Sequence, residues 1–354
     1  MSWAFWDHLP AAARLEVELF PAHVLNRERY PVRFEYLPVS ENGAARAAEA
    51  GIPGLLACGT PVNETEGLDF PMRFIAERLR CFHQHGVPVD AVGVGIDWLH
   101  SKRGRQLFQE DFLPIRSWTV RTAACRDALI DLGVREDRII VGADWAWLYR
   151  PRKDLREWGA KTWASLGIDL ARPLLAVNLV NLVWRSRSDA KAEMASALDC
   201  LQFRHGFQIA FFCSECRSGE MFDFAAASEV KALMERRPVI VPNLYYSPDE
   251  ALGLLAHVQI AVSARYHFAV LAAIAGTLPV CIVRGHKMRG LVEELGLAAS
   301  CTIEKVDAAK LVDDVLSADS GRSKSLETLK LLRTHMAVRA MNNLAFFRMF
   351  HPDK

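Results

Sequence analysis

The sequence predicts an α/β protein built from two doubly wound, Rossmann-like halves. Three observations carry that expectation. Short unbroken runs of Val, Ile and Leu recur along the chain, helical stretches separate them, and the length is 354 residues. A domain usually takes about 100–200 residues, so this length accommodates two cores. Strands covered on both faces of a parallel sheet read as continuous apolar runs rather than alternating ones. Helices between such strands make βαβ units.

The first half opens with Gly54-Leu-Leu-Ala-Cys58 as a buried strand, followed by a loop and a helix over roughly 71–86. The run from Val89 to Ile96 is the next strand. Ser117-Trp-Thr-Val-Arg121, a helix near 123–132 and a strand at 138–141 complete this half. Residues 145–173 then break the rhythm with a Trp-, Arg- and Lys-rich stretch containing Pro151 and Pro173. The domain boundary is placed there, giving a domain over 1–160 and a second over 161–354. The second half has strands at 174–179, 208–213, 239–241, 259–263 and 279–283. Helices fall near 189–203, 223–235, 248–256, 267–275 and 286–295. The stretch 325–350 reads as helix, with apolar Leu329, Leu332, Met336, Met341, Leu344 and Phe347. Whether that face packs within the chain or on a second copy stays open, as does the oligomeric state. Two halves facing one cleft is the simplest architecture, with ligands beyond the carboxyl ends of the strands.

Composition narrows the function classes. Hydrophobic residues make up 51% and exclude intrinsic disorder, and 43 Lys+Arg against 42 Asp+Glu leave a net charge of +1. Such a balance provides no broad field for a polyanion, so nucleic-acid binding through bulk charge is disfavoured while a local basic pocket is not. No apolar run reaches the roughly 18 residues of a membrane span; the longest candidate, 268–281, contains Gly276 and Pro279. The N-terminus lacks a basic segment followed by an apolar core, so no signal peptide is expected. The expected location is the cytoplasm, peripheral to the inner membrane only through an acceptor. Eight cysteines are scattered singly apart from Cys213-Ser-Glu-Cys216, with no second pair at zinc-ribbon spacing. They read as reduced bystanders, and no metal is expected. No H-E-x-x-H, G-x-S-x-G, G-x-G-x-x-G or Walker A loop is present.

The richest strand-end loop is Val262-Ser-Ala-Arg-Tyr-His267, which runs straight into the apolar Phe268-Ala-Val-Leu-Ala-Ala-Ile-Ala275. Arg265 and His267 then stand at the start of a buried helix, where free N–H groups and the helix dipole favour an anion. An arginine there binds phosphate or carboxylate through two parallel hydrogen bonds, and a histidine binds it or moves a proton. The plainer alternative is that Arg265 pairs with a carboxylate and His267 only caps the helix. The next strand end adds Val283-Arg-Gly-His-Lys-Met-Arg289. Two neighbouring strand ends thus supply Arg265, His267, Arg284, His286, Lys287 and Arg289, a cationic cluster suited to a small, multiply charged anion. The first half offers Ala57-Cys-Gly-Thr-Pro-Val-Asn-Glu64 and Val94-Gly-Ile-Asp97. Gly59 and Gly95 there allow close backbone approach to a ligand or only make turns; Thr60, Asn63 and Asp97 are the polar side chains beside them. Arg121 enters a helix, Asp144 follows a strand and either faces the ligand or caps the next segment, and Arg185 in Trp184-Arg-Ser-Arg187 is a further anion contact.

The order of these motifs resembles the polysaccharide pyruvyl transferase family. The family's strand ending in Ser-x-Arg-Leu-His, its apolar helix, its Gly-x-Pro and its following strand and Lys are similar to Ser263-Ala-Arg-Tyr-His267, Ala272-Ala-Ile-Ala-Gly-Thr-Leu-Pro279, Val280-Cys-Ile-Val283 and Lys287. Tyr266 stands where Leu is usual, and two residues rather than one separate Gly276 from Pro279. Ser247-Pro-Asp-Glu-Ala-Leu252 looks like the short helix preceding this strand, with Ser247 as its cap and Pro248 first in the helix. In the first half, Val120-Arg-Thr-Ala-Ala-Cys-Arg-Asp-Ala-Leu-Ile-Asp-Leu-Gly133 resembles a family segment in which Asp and Ser occupy the places of Thr122 and Cys125. Asp144, Gly59 and Gly95 fall where the family has an Asp and two strand-end glycines. The family's opening Gly-Asn-x-Gly-Asp loop does not occur in residues 1–50.

The resemblance covers roughly 54–300 and implies a glycosyltransferase-B-like fold with phosphoenolpyruvate as donor substrate and no cofactor. The enolpyruvyl carbons would move to two hydroxyls of a sugar in a polysaccharide or its precursor, giving a pyruvate ketal and phosphate. Arg265, His267 and Lys287 would be the catalytic group. Ser263, Arg121, Arg185, Gly59, Thr60, Asn63, Gly95, Asp97 and Asp144 would bind substrate, with the donor on the second domain and the acceptor on the first. The sequence does not say whether that sugar is free, nucleotide-linked, lipid-linked or polymeric. A nucleotide-sugar-dependent glycosyltransferase of the same fold, or a non-catalytic sugar-binding relative, are the alternatives.

Overall fold

The computed structural model describes residues 17–18, 36–37, 43–64, 67–180, 188–215, 222–297, 299–303 and 305–344. The chain divides into two compact units, Met1–Tyr149 with Met336–Lys354, and Arg150–His335. In unit 1, the two-residue strands β1 (Val17–Glu18) and β2 (Tyr36–Leu37) pair in parallel. After them come α1 (Gly43–Glu49), β3 (Gly54–Ala57), α2 (Phe74–Gln84), β4 (Val89–Val94), α3 (Lys102–Leu107), β5 (Ser117–Val120), α4 (Ala123–Asp131) and β6 (Ile139–Val141). Strands β3 to β6 form a parallel sheet in chain order.

Polar residues start these helices where the sequence provides them. Ser101 Oγ accepts from the Gly104 N–H and caps α3, and Thr122 Oγ1 accepts from the Cys125 N–H and caps α4. The core beneath is aromatic: the Phe108 ring stacks on Phe112 at 5.8 Å and on Trp118 at 6.0 Å, all three fully buried. Strand β4 is irregular at Gly93, where its pairing with β5 shifts register and φ is +63°. A Cβ there would lie 2.1 Å from the Trp145 indole nitrogen, so both backbone and packing demand glycine.

Unit 2 begins with α5 (Arg156–Ser165) and continues through β7 (Leu174–Asn178), α6 (Ser188–Arg204), β8 (Gln208–Phe211), α7 (Asp223–Leu233) and β9 (Val239–Ile240). It then runs through α8 (Pro248–Leu255), β10 (Ile260–Ser263), α9 (Tyr266–Ala275), β11 (Leu278–Val283), α10 (His286–Glu294), β12 (Ala299–Thr302), α11 (Ala308–Ser320) and α12 (Arg322–Ala340). The six strands are parallel in the order β12-β11-β10-β7-β8-β9. Each central strand is apolar on both faces. Leu175, Val177, Ile209, Phe211 and Val262 join one core with residues of α6, α7 and α11. Leu174, Ala176, Ala210 and Ala261 join another with Trp163, Leu254, Phe268 and Ala272. That two-sided burial is why the strands carry no polar alternation. The expected start of α8 is present in full: Ser247 caps it, Glu250 closes the capping box, and Pro248 opens the helix.

The expected division near residue 160 falls instead at Tyr149/Arg150. Trp145, Trp147, Leu148 and Tyr149 are buried within unit 1. Helix α5 belongs to unit 2 because it crosses α8 at glycine-to-glycine distance, and Trp163 Nε1 donates to Leu254 O at 2.9 Å. A Cβ on Gly159 would come within 2.1 Å of Gly253 O. The end of the chain is not a tail of unit 2 either. Helix α12 starts there, with Arg333 Nη1 donating to Ile274 O at 2.8 Å. From Met336 onward the chain belongs to unit 1, where Arg339 Nη2 donates to Gly142 O at 2.7 Å and Asn343 Nδ2 to Ala143 O at 2.8 Å.

Candidate functional site

In unit 2 the chain order of the sheet reverses between β7 and β10, which lie side by side although five helices and strands separate them in sequence. Loops leaving the carboxyl ends of strands diverge at such a switch point and open a crevice that binds ligands in doubly wound sheets. Here β7 ends in Asn178 and β10 ends in Ser263, paired in register, and the Ala264 N–H donates to Asn178 O at 2.9 Å. Arg265 follows as the residue that caps α9. Its backbone is held by Ser263, whose Oγ accepts from the Arg265 N–H at 3.2 Å and donates to its carbonyl at 2.8 Å.

The guanidinium of Arg265 lies on Asp223, the first residue of α7. Nε and Nη2 both donate to Asp223 Oδ1, at 2.9 and 2.5 Å. Asp223 Oδ2 accepts from the backbone N–H groups of Ser214 and Glu215, at 3.0 Å each, and from Asn178 Nδ2 at 3.2 Å. Asn178 Nδ2 also donates to Phe212 O at 2.8 Å, and its buried Oδ1 has no hydrogen-bond partner. Asp223 is 1% exposed and Arg265 23%, so the carboxylate is sealed while the cation keeps a face to solvent. His267 sits half-buried in the first turn of α9, with the Tyr266 ring edge-on at 5.2 Å. Lys287 is half-buried in the first turn of α10, after β11, which pairs with β10.

In unit 1 the strand ends gather a second group. The chain leaves β3 through Cys58 and Gly59, both in the left-handed region at φ +65° and +70°. Gly95 N–H donates to Gly59 O at 2.8 Å, and Asn63 Nδ2 to Thr60 O at 2.6 Å. A Cβ on Gly95 would stand 3.0 Å from Thr60 Oγ1 and 3.5 Å from Arg121 Nη1. Arg121 is 3% exposed: its Nε donates to Gly93 O at 3.0 Å and lies 2.9 Å from Oδ2 of the fully buried Asp144. Asp144 also caps the turn that follows β6, accepting from the Ala146 N–H at 2.9 Å. Burial pushes the Cys58 thiol up to about 12, against the pull of Arg121. Asp97 is half-buried; its N–H donates to Val62 O, and its Oδ1 is buried without a partner.

Gly59, Thr60, Asn63, Gly95, Arg121 and Asp144 are therefore one cluster in unit 1, and Ser263, Arg265 and His267 one strand end in unit 2. Arg185 lies outside the described residues, as does the side chain of His286. Among the described residues no group of three or more His, Cys, Asp or Glu could hold a metal ion, and no helix is long and apolar enough to cross a membrane. Asn178 and Asp223 belong to no motif singled out above. The available signals are faint: an Asn closing the otherwise apolar Leu174-Leu-Ala-Val-Asn178, and an Asp opening a helix.

A sequence model described as polysaccharide pyruvyl transferase matches residues 53–286, about two thirds of the chain, from the start of the β3 region to the residue before Lys287. The chain belongs to the polysaccharide pyruvyl transferase family. Family membership makes it a transferase. No curated protein sequence matches it. Solved structures resemble it in fold at low identity. A glycosyltransferase from Rickettsia africae has a TM-score of 0.62 at 11% identity, over 93% of this chain and 87% of that one. HepE from Anabaena, in complex with UDP-glucose, has 0.60 at 12%, over 93% and 88%. A UDP-GlcNAc 2-epimerase from Neisseria meningitidis bound to UDP-GlcNAc has 0.55 at 9%, over 86% and 81%. These neighbours establish a glycosyltransferase-B-like fold. In this member of the family, Thr122 and Cys125 replace the family's usual Asp and Ser without losing the cap, since the threonine hydroxyl accepts from the Cys125 N–H at 3.1 Å. Thr277, the extra residue before Pro279, is buried and donates to Leu255 O at 2.7 Å.

Proposed function

We propose that this chain transfers the enolpyruvyl group of phosphoenolpyruvate to two hydroxyls of a sugar in a polysaccharide or its precursor. The products are a cyclic pyruvate ketal and inorganic phosphate. The observation that carries the proposal is the strand end at the switch point of unit 2. There a partly exposed arginine with a fixed inner edge stands at the start of a buried helix, beside a histidine. A donor carrying both phosphate and carboxylate matches that chemistry, and the family match supports the reaction class.

In the reaction, a proton added to the donor methylene makes it a methyl group and leaves an oxocarbenium-like carbon. One sugar hydroxyl adds to that carbon, the carbon–oxygen bond to phosphate breaks, and the second hydroxyl closes the ketal. One hydroxyl proton balances the proton delivered to the methylene and the other leaves with phosphate. Arg265 and Lys287 hold phosphate or carboxylate. His267 binds phosphate or delivers the proton, a task for which imidazole, titrating near pH 6.5 in water, is suited. Departing phosphate gains charge, so fixed cations stabilise the transition state more than the ground state. Unit 2 binds the donor and unit 1 the acceptor, through Gly59, Thr60, Asn63, Gly95 and Asp97, with Arg121 and Asp144 holding the shape of that group. The enzyme works in the cytoplasm and meets the membrane only through a lipid-linked acceptor.

The test is phosphate release from phosphoenolpyruvate with candidate sugars, together with mass detection of a ketal on the acceptor. Arg265→Ala and His267→Ala are expected to lower turnover at least 100-fold, and a wild-type rate in both overturns the assignment. A nucleotide-sugar donor is the second reading, favoured by solved neighbours that hold UDP-glucose and UDP-GlcNAc. Thermal stabilisation by UDP and not by phosphoenolpyruvate would select it. A non-catalytic relative would bind sugar and release no phosphate from any donor.

A further inference from the structure

We infer that Asp223 is the positioning residue of this site: it holds one edge of Arg265 so that the opposite edge is presented to an anion. The identity of that anion as phosphoenolpyruvate rests on the function proposed above. The division of labour between the two edges of the guanidinium does not.

A guanidinium has five N–H donors in one plane. The edge formed by Nε and Nη2 is taken by Asp223 Oδ1, at 2.9 and 2.5 Å. Nη1 and the second N–H of Nη2 form the other edge, which has the spacing of a carboxylate or of two phosphate oxygens. The side chain is 23% exposed and its carboxylate partner 1%, so the solvent-facing part belongs to the cation. Asp223 cannot easily turn away. Its Oδ2 is fixed by two backbone N–H groups and by Asn178 Nδ2, which ties it to the ends of both β7 and β8. Ser263 fixes the Arg265 backbone from the other side. A cation immobilised in this way loses little conformational freedom when an anion arrives, which is the condition for strong preorganised electrostatics. The pairing also keeps the buried carboxylate from standing uncompensated.

Among the described residues, every hydrogen-bond partner of the Asp223 carboxylate is a donor. Replacing it with asparagine preserves shape but turns an N–H₂ group toward either Arg265 or the Ser214 and Glu215 N–H groups, so one side of the network must let go. Lysine at 265 keeps the charge and can satisfy Asp223, but it has no second edge. Both substitutions therefore attack the same feature from opposite ends.

The experiment is a calorimetric titration of the full chain with phosphoenolpyruvate, inorganic phosphate and UDP, for wild type, Asp223→Asn, Arg265→Lys, Arg265→Ala and the Asp223→Asn/Arg265→Ala pair. Each single variant is expected to weaken binding of the anion at least tenfold. The pair should be no weaker than Arg265→Ala alone, because the aspartate acts only through the arginine. A merely structural aspartate would instead give losses that add. Additive losses, or wild-type affinity in Arg265→Lys, overturn the inference. If Asp223→Asn does not fold, Arg265→Lys still decides, since its charge is intact and its second edge is gone. If the wild type binds UDP but neither phosphoenolpyruvate nor phosphate, pyruvyl transfer falls and the same cycle is read with UDP. A wild type that binds none of the three overturns both.

Discussion

Arg121 and Asp144 face each other at 2.9 Å with 3% and 0% exposure, and neither can fall back on water. Removing one partner leaves a buried, uncompensated charge, which typically costs about 3–5 kcal/mol. Asp144→Ala is accordingly expected to lose that much in urea unfolding, and a loss below about 1 kcal/mol would show the pair to be hydrated. The two residues were readable as strand-end polar groups, and the cap made by Asp144 was one of its two anticipated roles. Their mutual pairing was not, because the partners come from different strands. Asp223 is the harder case. Its partner Arg265 lies 42 residues downstream, and only the folded sheet brings the end of β10 beside the start of α7. A buried carboxylate at a helix start looks, in sequence, like any acidic first-turn residue. Ser263, Arg265 and His267, by contrast, were legible because a polar cluster interrupts two apolar runs at one place.

At the scale of elements, nine of the strands were visible as apolar runs, most plainly β4, β7, β8, β10 and β11, whose residues are buried throughout. Strand β12 was not. Ala299-Ser-Cys-Thr302 is short and half polar, as suits an edge strand that pairs only with β11 within the sheet. Helix α5 was hidden for another reason: its buried residues are only Gly159 and Trp163, too few for an apolar stripe, and glycine reads as a breaker. That glycine has no freedom to change. Gly159→Ala would drive a methyl group into Gly253 O, and separating α5 from α8 should cost about 1–3 kcal/mol of overpacking strain. Thermal unfolding checks this, with a fall of roughly 2–4 °C for each kcal/mol in a domain of this size. An unchanged melting temperature would mean that the two helices part without penalty.

At the scale of the molecule, unit 1 is made from two separate stretches of chain, and nothing in the sequence signalled it. The C-terminal stretch was readable as helix from Leu329, Leu332 and Met336, but an apolar stripe does not name the surface it covers. In the structure Met336 and Ala340 are buried, and Arg339 and Asn343 satisfy the carbonyls of Gly142 and Ala143 just beyond β6. Deleting residues 336–354 should therefore destabilise unit 1 while leaving the unit 2 sheet intact. Hydrogen exchange would register the difference as lost protection in β5 and β6 with β7 and β10 unaffected. Equal loss in both sheets would contradict the division.

The same arrangement has a consequence in time. A ribosome delivers the two pieces of unit 1 separately, with the whole stretch from Arg150 to His335 in between. At about 5–20 residues per second, the first piece waits on the order of 10–40 s for its missing partner. During that interval the carbonyls of Gly142 and Ala143 lack the donors that later cover them, whereas unit 2 can close as soon as its own last helix emerges. The half that is born first is the half that finishes last.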